Sequence, residues 1–412
     1  MVRAFVSLVG CVALLLLGGR VCAQERATRL TLDEAVGLAL RENPTLRAKG
    51  YELEATRANE ITAGLVPNPT AAFTSEKYGG TTFIEQTLTV GQTLETGGKR
   101  RRRLDSARAA SRVSEYEVAD VRRLVVFQVK KSFTDALTAL AALQLAAQNL
   151  KALADLERLQ RLRAEKGDIS ELELLRLQVQ QYQFQRDAAD ARQALNAARV
   201  ALRAVVSPNR VAEDYELVGE LPFRDFAYTR TDLYRLTLAN RPDIRAAEAA
   251  REKARADQRL ARANAWWDVT PQLEYKRTDS NEQTIGFGIS LPLRIFDRNQ
   301  GEIARTRAET SRVDALREAV ANQALSEVET AFGALQTERE KVVALRDTYL
   351  PKAQKARDTV EFAYRRGGVS LIDFLDAQRT FRETSLEYLK ALGNYSTALY
   401  QLETAVGGPL GN

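Results

Sequence analysis

Two stretches of this sequence restrict its fold more than any other feature. From Thr96 to Lys166 there is no proline, and the only glycines, Gly97 and Gly98, stand at the start. Asn299 to Arg366 is similar, with one proline, Pro351, and few glycines. Proline breaks helices most strongly and glycine next, so each stretch predicts a helix of about 65–70 residues, roughly 100 Å long. A globular core cannot bury such a helix, so its partner must be another long helix. The last helix supplies one. Phe374, Gln378, Phe381, Ser385, Tyr388, Leu392, Tyr395, Leu399 and Leu402 alternate spacings of four and three, the seam of a coiled coil. At 166–170 and 366–370 the chain reverses. Gly167 and Gly367 end one helix, and Ser170 and Ser370 cap the next through their hydroxyls.

The pattern is written twice. Asn43-Pro44 and Arg241-Pro242 each separate a short helix from a longer Ala/Glu/Arg helix, and the two hairpin tips recur at the same distance, about 200 residues on. The sequence divides into a first repeat over 24–207, a connecting segment over 208–230 and a second repeat over 231–412.

Each repeat holds two strand-like runs, at about 69–78 and 83–94 and at about 270–277 and 284–293. In the last, Ile285, Phe287, Ile289, Leu291 and Leu293 share one face, and Thr284, Gly286, Gly288 and Ser290 the other. Ile84, Leu88, Val90 and Leu94 alternate in the same way. The joins, Gly79–Thr82 and Thr278–Gln283, are hairpin-like. Runs of about 8–12 residues have the length of a tilted bilayer-crossing strand. Such alternation also fits a sheet on a soluble core. Four strands cannot close a barrel, since single-chain barrels begin at about eight. Either the sheet packs on something, or copies of the chain close it together.

The N-terminus carries Arg3, an apolar run from Leu8 to Leu17, and Val21-Cys22-Ala23, the signature of a secretory signal peptide cut after Ala23. Neither cysteine, Cys11 or Cys22, sits in a good lipidation context, so no lipid anchor is expected and both leave with the leader, residues 1–23. Without cysteine, and with no histidine anywhere, the mature chain lacks the commonest metal ligands and the commonest general base. No catalytic residue, metal site or cofactor is expected. The net charge of +6 is mild for 412 residues, and export argues against a nucleic-acid partner.

Leu30-Thr31-Leu32-Asp33-Glu34-Ala35, Asn43-Pro44, Gly64-Leu65-Val66-Pro67-Asn68-Pro69 and both hairpin tips resemble the TolC-like outer-membrane efflux family over essentially the whole mature chain. Leu94-Glu95-Thr96-Gly97-Gly98-Lys99-Arg100 is most similar to the CzcC and CusC branch, the outer components of metal-ion efflux systems. The resemblance implies a mainly α fold with a small β part. Three copies form a 12-stranded barrel in the outer membrane of a Gram-negative bacterium, continued by an α-helical barrel through the periplasm. It implies a passive exit duct, not an enzyme. Its partners are a periplasmic adaptor (membrane fusion) protein, an inner-membrane transporter of the resistance-nodulation-division (RND) type, and outer-membrane lipid. Metal cations are the expected cargo, with drugs or secreted proteins as alternatives. A soluble periplasmic coiled-coil adaptor or tether is the competing function, but it leaves the four amphipathic strands unexplained.

The resemblance also assigns roles by position. Asp373 and Asp376 match acidic rings at the periplasmic entrance, and Tyr364 matches a tyrosine that holds the entrance shut. The family's arginine after the tip glycine is replaced by Val369, with Arg365 and Arg366 nearby. Gly167, Ser170, Gly367 and Ser370 match tips that meet the adaptor. Two further features follow from the residues. The basic run beginning Lys99, Arg100, Arg101 either faces anionic headgroups or is a solvated helix start. Trp266 and Trp267 lie either in an interfacial aromatic girdle or against the helices.

Overall fold

A computed structural model describes residues 27–77, 84–167, 169–224 and 227–411. The leader, both cysteines, the first hairpin join and Asp168 lie outside the described residues.

The first repeat opens with strand β1 (Ala27–Leu30), helix α1 (Leu32–Glu42) and helix α2 (Pro44–Gly64). Asn43 separates the helices. Its side-chain oxygen accepts from Thr45 N and Leu46 N, and proline in the first turn of α2 removes an N–H that would have had no partner. Strands β2 (Thr70–Lys77) and β3 (Ile84–Gly91) follow. Next comes the unbroken 67-residue helix α3 (Lys99–Glu165), then α4 (Glu171–Val206) and strand β4 (Val211–Leu217). The second repeat runs through α5 (Arg230–Asn240), α6 (Pro242–Asn264), β5 (Thr270–Thr278), β6 (Gln283–Ser290) and α7 (Gln300–Ala344). It ends with α8 (Leu350–Arg365) and α9 (Leu371–Val406).

The second long helix differs from the first in one respect. A π-helical turn, Leu345–Tyr349, joins α7 to α8 immediately before Pro351. Proline offers no N–H and crowds the carbonyl four residues back, and the wider turn absorbs both problems without ending the helix. The α9 seam behaves as its spacing predicts: every one of its nine positions is buried or half-buried.

β2, β3, β5 and β6 form one antiparallel sheet in that order. Phe73, Leu88, Tyr275 and Ile285 stand in one row, and Ala71, Val90, Leu273 and Phe287 in the next, all on the same face. Among the described residues nothing packs on that face; Phe287 is 74% exposed and Ile285 75%. The opposite face carries Thr87, Glu274, Lys276 and Glu85, with an ion pair of 2.5 Å between Lys276 and Glu85. The free edges are β2 and β6. The helices keep the strand order: α2 packs on α3, α3 on α6, and α6 on α7. Their outer members are therefore α2 and α7.

The connecting segment holds a strand that sequence periodicity did not show. β4 pairs in parallel with β1 and buries Tyr215, whose hydroxyl donates to Arg199 O at 3.2 Å. This small sheet ties the start of the described chain to the connecting segment that follows the first repeat.

Candidate functional site

The helical end far from the sheet is where sequence reading concentrates the functional residues. Both tips are built alike. Gly167 and Gly367 take φ of 80° and 78°, a left-handed conformation that a Cβ disfavours. The following serines cap α4 and α9. Ser170 Oγ accepts from Glu173 N at 3.3 Å. Ser370 Oγ accepts from Asp373 N at 3.2 Å, and Asp373 Oδ2 accepts in return from Ser370 N at 3.1 Å and Ser370 Oγ at 2.7 Å.

Asp373 is thus held by its own helix start. The Ser370 hydrogen bonds keep its carboxyl below the usual range, so it stays ionised at neutral pH. Asp376 stands three residues on and accepts from Arg379 Nη2 at 2.6 Å. Both partners are exposed, so this pair adds little stability. Among the described residues no cluster of three or more His, Cys, Asp or Glu could hold a metal ion.

Tyr364 is 4% exposed and stacks on Phe374 with ring centroids 5.2 Å apart. Its hydroxyl donates to Glu173 Oε1 at 3.4 Å. Burial first, and the adjacent Glu173 charge second, push the phenol up to about 12. Because Tyr364 and Phe374 belong to the second repeat and Glu173 to the first, this contact joins the two hairpins. Leu153, Leu156, Leu177, Phe184 and Leu371 pack around it. Arg163 Nη2 crosses the same gap to Arg365 O at 2.8 Å. Val369 packs against this cluster, and Arg365 pairs with Glu361 at 2.5 Å.

Sequence reasoning passed over Glu173, although a signal was present. Ser170-x-x-Glu173 has the same cap spacing as Ser370-x-x-Asp373. In the first tip the carboxylate turns to Tyr364 instead of closing its own box. Gln160 was also passed over; it lines a cavity of about 680 Å³ between the tips. A single glutamine in a long helix carries no sequence signal.

The other candidates lie where the sheet meets the helices. Lys99 is buried, and its ammonium meets Asp268 Oδ2 at 2.7 Å. The Asp268 carboxyl is held low: burial opposes this, but Lys99 and the Thr96 N–H outweigh it. Arg100 Nε donates to Gly64 O at 2.5 Å, and Arg103 reaches Ala63 O at 2.9 Å and Leu65 O at 2.8 Å. A basic run at a helix N-terminus is electrostatically unfavourable by itself. Here it also caps the C-terminal carbonyls of α2, where positive charge is favoured. Lys99 is thus engaged internally, while Arg100 and Arg101 remain exposed. Trp266 and Trp267 are 59% and 45% exposed. Trp266 lies so close to Gly97, whose φ is 65°, that an added Cβ would sit 3.0 Å from its ring.

The profile of a family described as Outer membrane efflux protein matches residues 35–207 and 233–408. The chain belongs to this family. The cobalt-zinc-cadmium resistance protein CzcC of Cupriavidus metallidurans is 30% identical over 397 residues, 95% of this chain and 92% of that protein. Among solved structures, this efflux protein resembles a membrane protein from Pseudomonas aeruginosa, with a TM-score of 0.78 and 23% identity over 91% of this chain and 92% of that one. CusC gives a TM-score of 0.73 and 20% identity over 93% and 94% of the two chains. The open state of the MtrE channel of Neisseria gonorrhoeae gives 0.75 and 20% over 94% and 91%. The efflux protein therefore has the fold of these channels, and as a member of its family it is an outer-membrane protein that extends into the periplasm.

Proposed function

We propose that three copies of this efflux protein close into one duct, a twelve-stranded barrel continued by the long helices, which carries metal cations outward. One observation carries the reading: the sheet and the helical layer are open on the same two sides. β2 and β6 end the sheet, and α2 and α7 end the layer below it. The apolar outer face belongs in hydrocarbon, where unpaired edge N–H and C=O groups cost several kcal/mol each, about enough to forbid an open sheet. Pairing β6 of each copy with β2 of the next removes every edge. Exposed Tyr51 and Ile61 on α2 and Leu316 on α7 fit the same contact lower down.

Residues 1–23 direct export and are removed. Asp373 and Asp376 from three copies ring the periplasmic mouth and attract cations, while Tyr364 and Glu173 hold the two hairpins of each copy together there. The tips at Gly167, Ser170, Gly367 and Ser370 meet a periplasmic adaptor, and an inner-membrane transporter of the RND type supplies energy and most of the cargo choice. Metal cargo draws on the likeness to a cobalt-zinc-cadmium resistance protein. With no histidine in the chain and both cysteines within residues 1–23, the mature protein offers such ions mainly weak oxygen contacts, which suits release over capture.

The test has two arms. Purified protein in planar bilayers gives stable, cation-preferring pores, and Asp373→Asn with Asp376→Asn reduces the preference. Deleting the gene sensitises cells to divalent metals more than to lipophilic drugs. Electrically silent protein refutes the duct, and a drug-dominated phenotype reassigns the cargo.

A further inference from the structure

The open sheet edges carry a register that the internal duplication specifies. We infer that β6 of one copy pairs with β2 of the next so that Ser290 lies opposite Ala72 of the partner subunit, an inference that rests on the closed-barrel reading above.

The two hairpins are equivalent in pairing. Thr70 faces Gly91 at the base of the first, and Thr270 faces Ser290 at the base of the second. Thr70 and Thr270 are therefore counterparts, as are Gly91 and Ser290. Where the hairpins meet within the chain, the join is not flush. Gly91 faces Gln272, two residues beyond Thr270. The first-repeat counterpart of Gln272 is Ala72. The same step at the open edge sets Ser290 opposite Ala72, Gly288 opposite Thr74 and Gly286 opposite Glu76 of the partner subunit.

Three physical consequences agree with this register. First, polar residues meet polar or small ones on the inner face, while Ile289 falls beside Phe73 of the partner subunit on the outer face, so the apolar band continues unbroken. A slip by one residue would turn one copy's apolar set inward. Second, the internal join extends below the strands through Leu94 and Val269, with Leu94 N donating to Val269 O at 2.8 Å. Their counterparts are Leu293, which is 75% exposed, and Pro69. Proline can accept there but not donate, a position tolerated at the start of a strand. Third, six hairpins in three copies accumulate a stagger of about twelve residues over twelve strands. That ratio matches the eight-stranded barrel of shear eight, whose strands tilt about 36°, within the range of outer-membrane barrels.

Disulfide trapping reads the register directly. In the internal join the outward pairs exchange hydrogen bonds: Gln92 N donates to Pro271 O, and Leu94 and Val269 bond reciprocally. Inward pairs are therefore the non-bonded kind, with Cα atoms about 4.5 Å apart, inside disulfide range. Ala72→Cys with Ser290→Cys, made in the full chain and oxidised in native outer membranes, links most copies into a covalent trimer on non-reducing gels. The single variants do not. The pairs Thr74→Cys with Ser290→Cys and Ala72→Cys with Gly288→Cys are displaced by about 7 Å and link at least about tenfold less. Strongest trapping by a displaced pair overturns the register but leaves the closed oligomer. No trapping by any pair, in protein that migrates as a trimer on native gels, overturns the β6–β2 seam. Protein that migrates as a monomer defeats the barrel reading itself.

Discussion

The crossing of α3 and α9 offers a sharp test of packing, because one glycine allows it. Gly393 is buried within α9, and a Cβ built there would overlap Thr138 Oγ1 and lie 3.2 Å from Thr138 Cγ2. Thr138 cannot simply turn away, because its hydroxyl donates to Thr134 O at 2.8 Å. Gly393→Ala gains about 1 kcal/mol of helix propensity. It forfeits about 1 kcal/mol of hydrogen bond and incurs about 1–3 kcal/mol of overpacking, a net loss of roughly 1–3 kcal/mol. Thr138→Ala alone loses about 1 kcal/mol through the same hydrogen bond. Combined, the overlap vanishes and the propensity gain remains, so the double variant is at least as stable as Thr138→Ala. The coupling between the two changes is then about 2–4 kcal/mol, at the upper end of what residues in direct contact show. Heat-induced loss of the helical circular dichroism signal, in detergent, ranks the four proteins. Additive effects would refute the close approach.

Two other predictions concern the tip and the middle of the helices. Ser370→Ala removes a cap worth about 1 kcal/mol, so amide exchange at the start of α9 quickens roughly fivefold at neutral pH. Asp373 has a depressed folded pKa, so its stabilising share is present above the ordinary carboxylate value and disappears as pH falls through the folded one. The difference in exchange between wild type and Ser370→Ala therefore narrows in acid; an unchanged gap would sink the capping-box account. Arg241 is 2% exposed and bonds Asp243 at 2.6 Å, Glu327 at 2.7 Å and Ala405 O at 3.1 Å. Burial disfavours its charge, but the two carboxylates hold its pKa above the usual value. Arg241→Met strips a buried partner from both acids. Since Asp243 and Glu327 are partly solvated, the loss falls at or just below the low end for broken buried pairs, about 2–3 kcal/mol, and thermal unfolding of the purified protein measures it.

Much of the architecture was legible in the residues. The helix lengths follow from where proline and glycine are absent, and the tips from Gly167, Ser170, Gly367 and Ser370. The alternation at 284–290 marks a strand with one apolar face. These are local signals, set by backbone sterics and by side-chain periods of 3.6 and 2. β4 stayed hidden because Val211–Leu217 has few regularly alternating apolar residues and exists through its pairing with β1.

The candidate site was legible in part. Its acids and tyrosine were singled out through family resemblance, and the sequence spacing predicted that Ser170 and Ser370 start helices. That Asp373 closes its own cap while Glu173 reaches Tyr364 depends on how two hairpins, distant in sequence, lie side by side. The basic run taught the same lesson, since nothing near Lys99 in sequence points to Asp268 or to the carbonyl end of α2.

By itself, then, the sequence determined the length and order of the elements, their duplication and the two-faced strands, because each depends on residues close along the chain. Only the tertiary structure decided which charges are spent internally, which edges are left open, and by how many residues the hairpins are staggered. Those depend on distances between residues the chain keeps far apart, and they turn two copies of a simple pattern into a sheet with a defined seam.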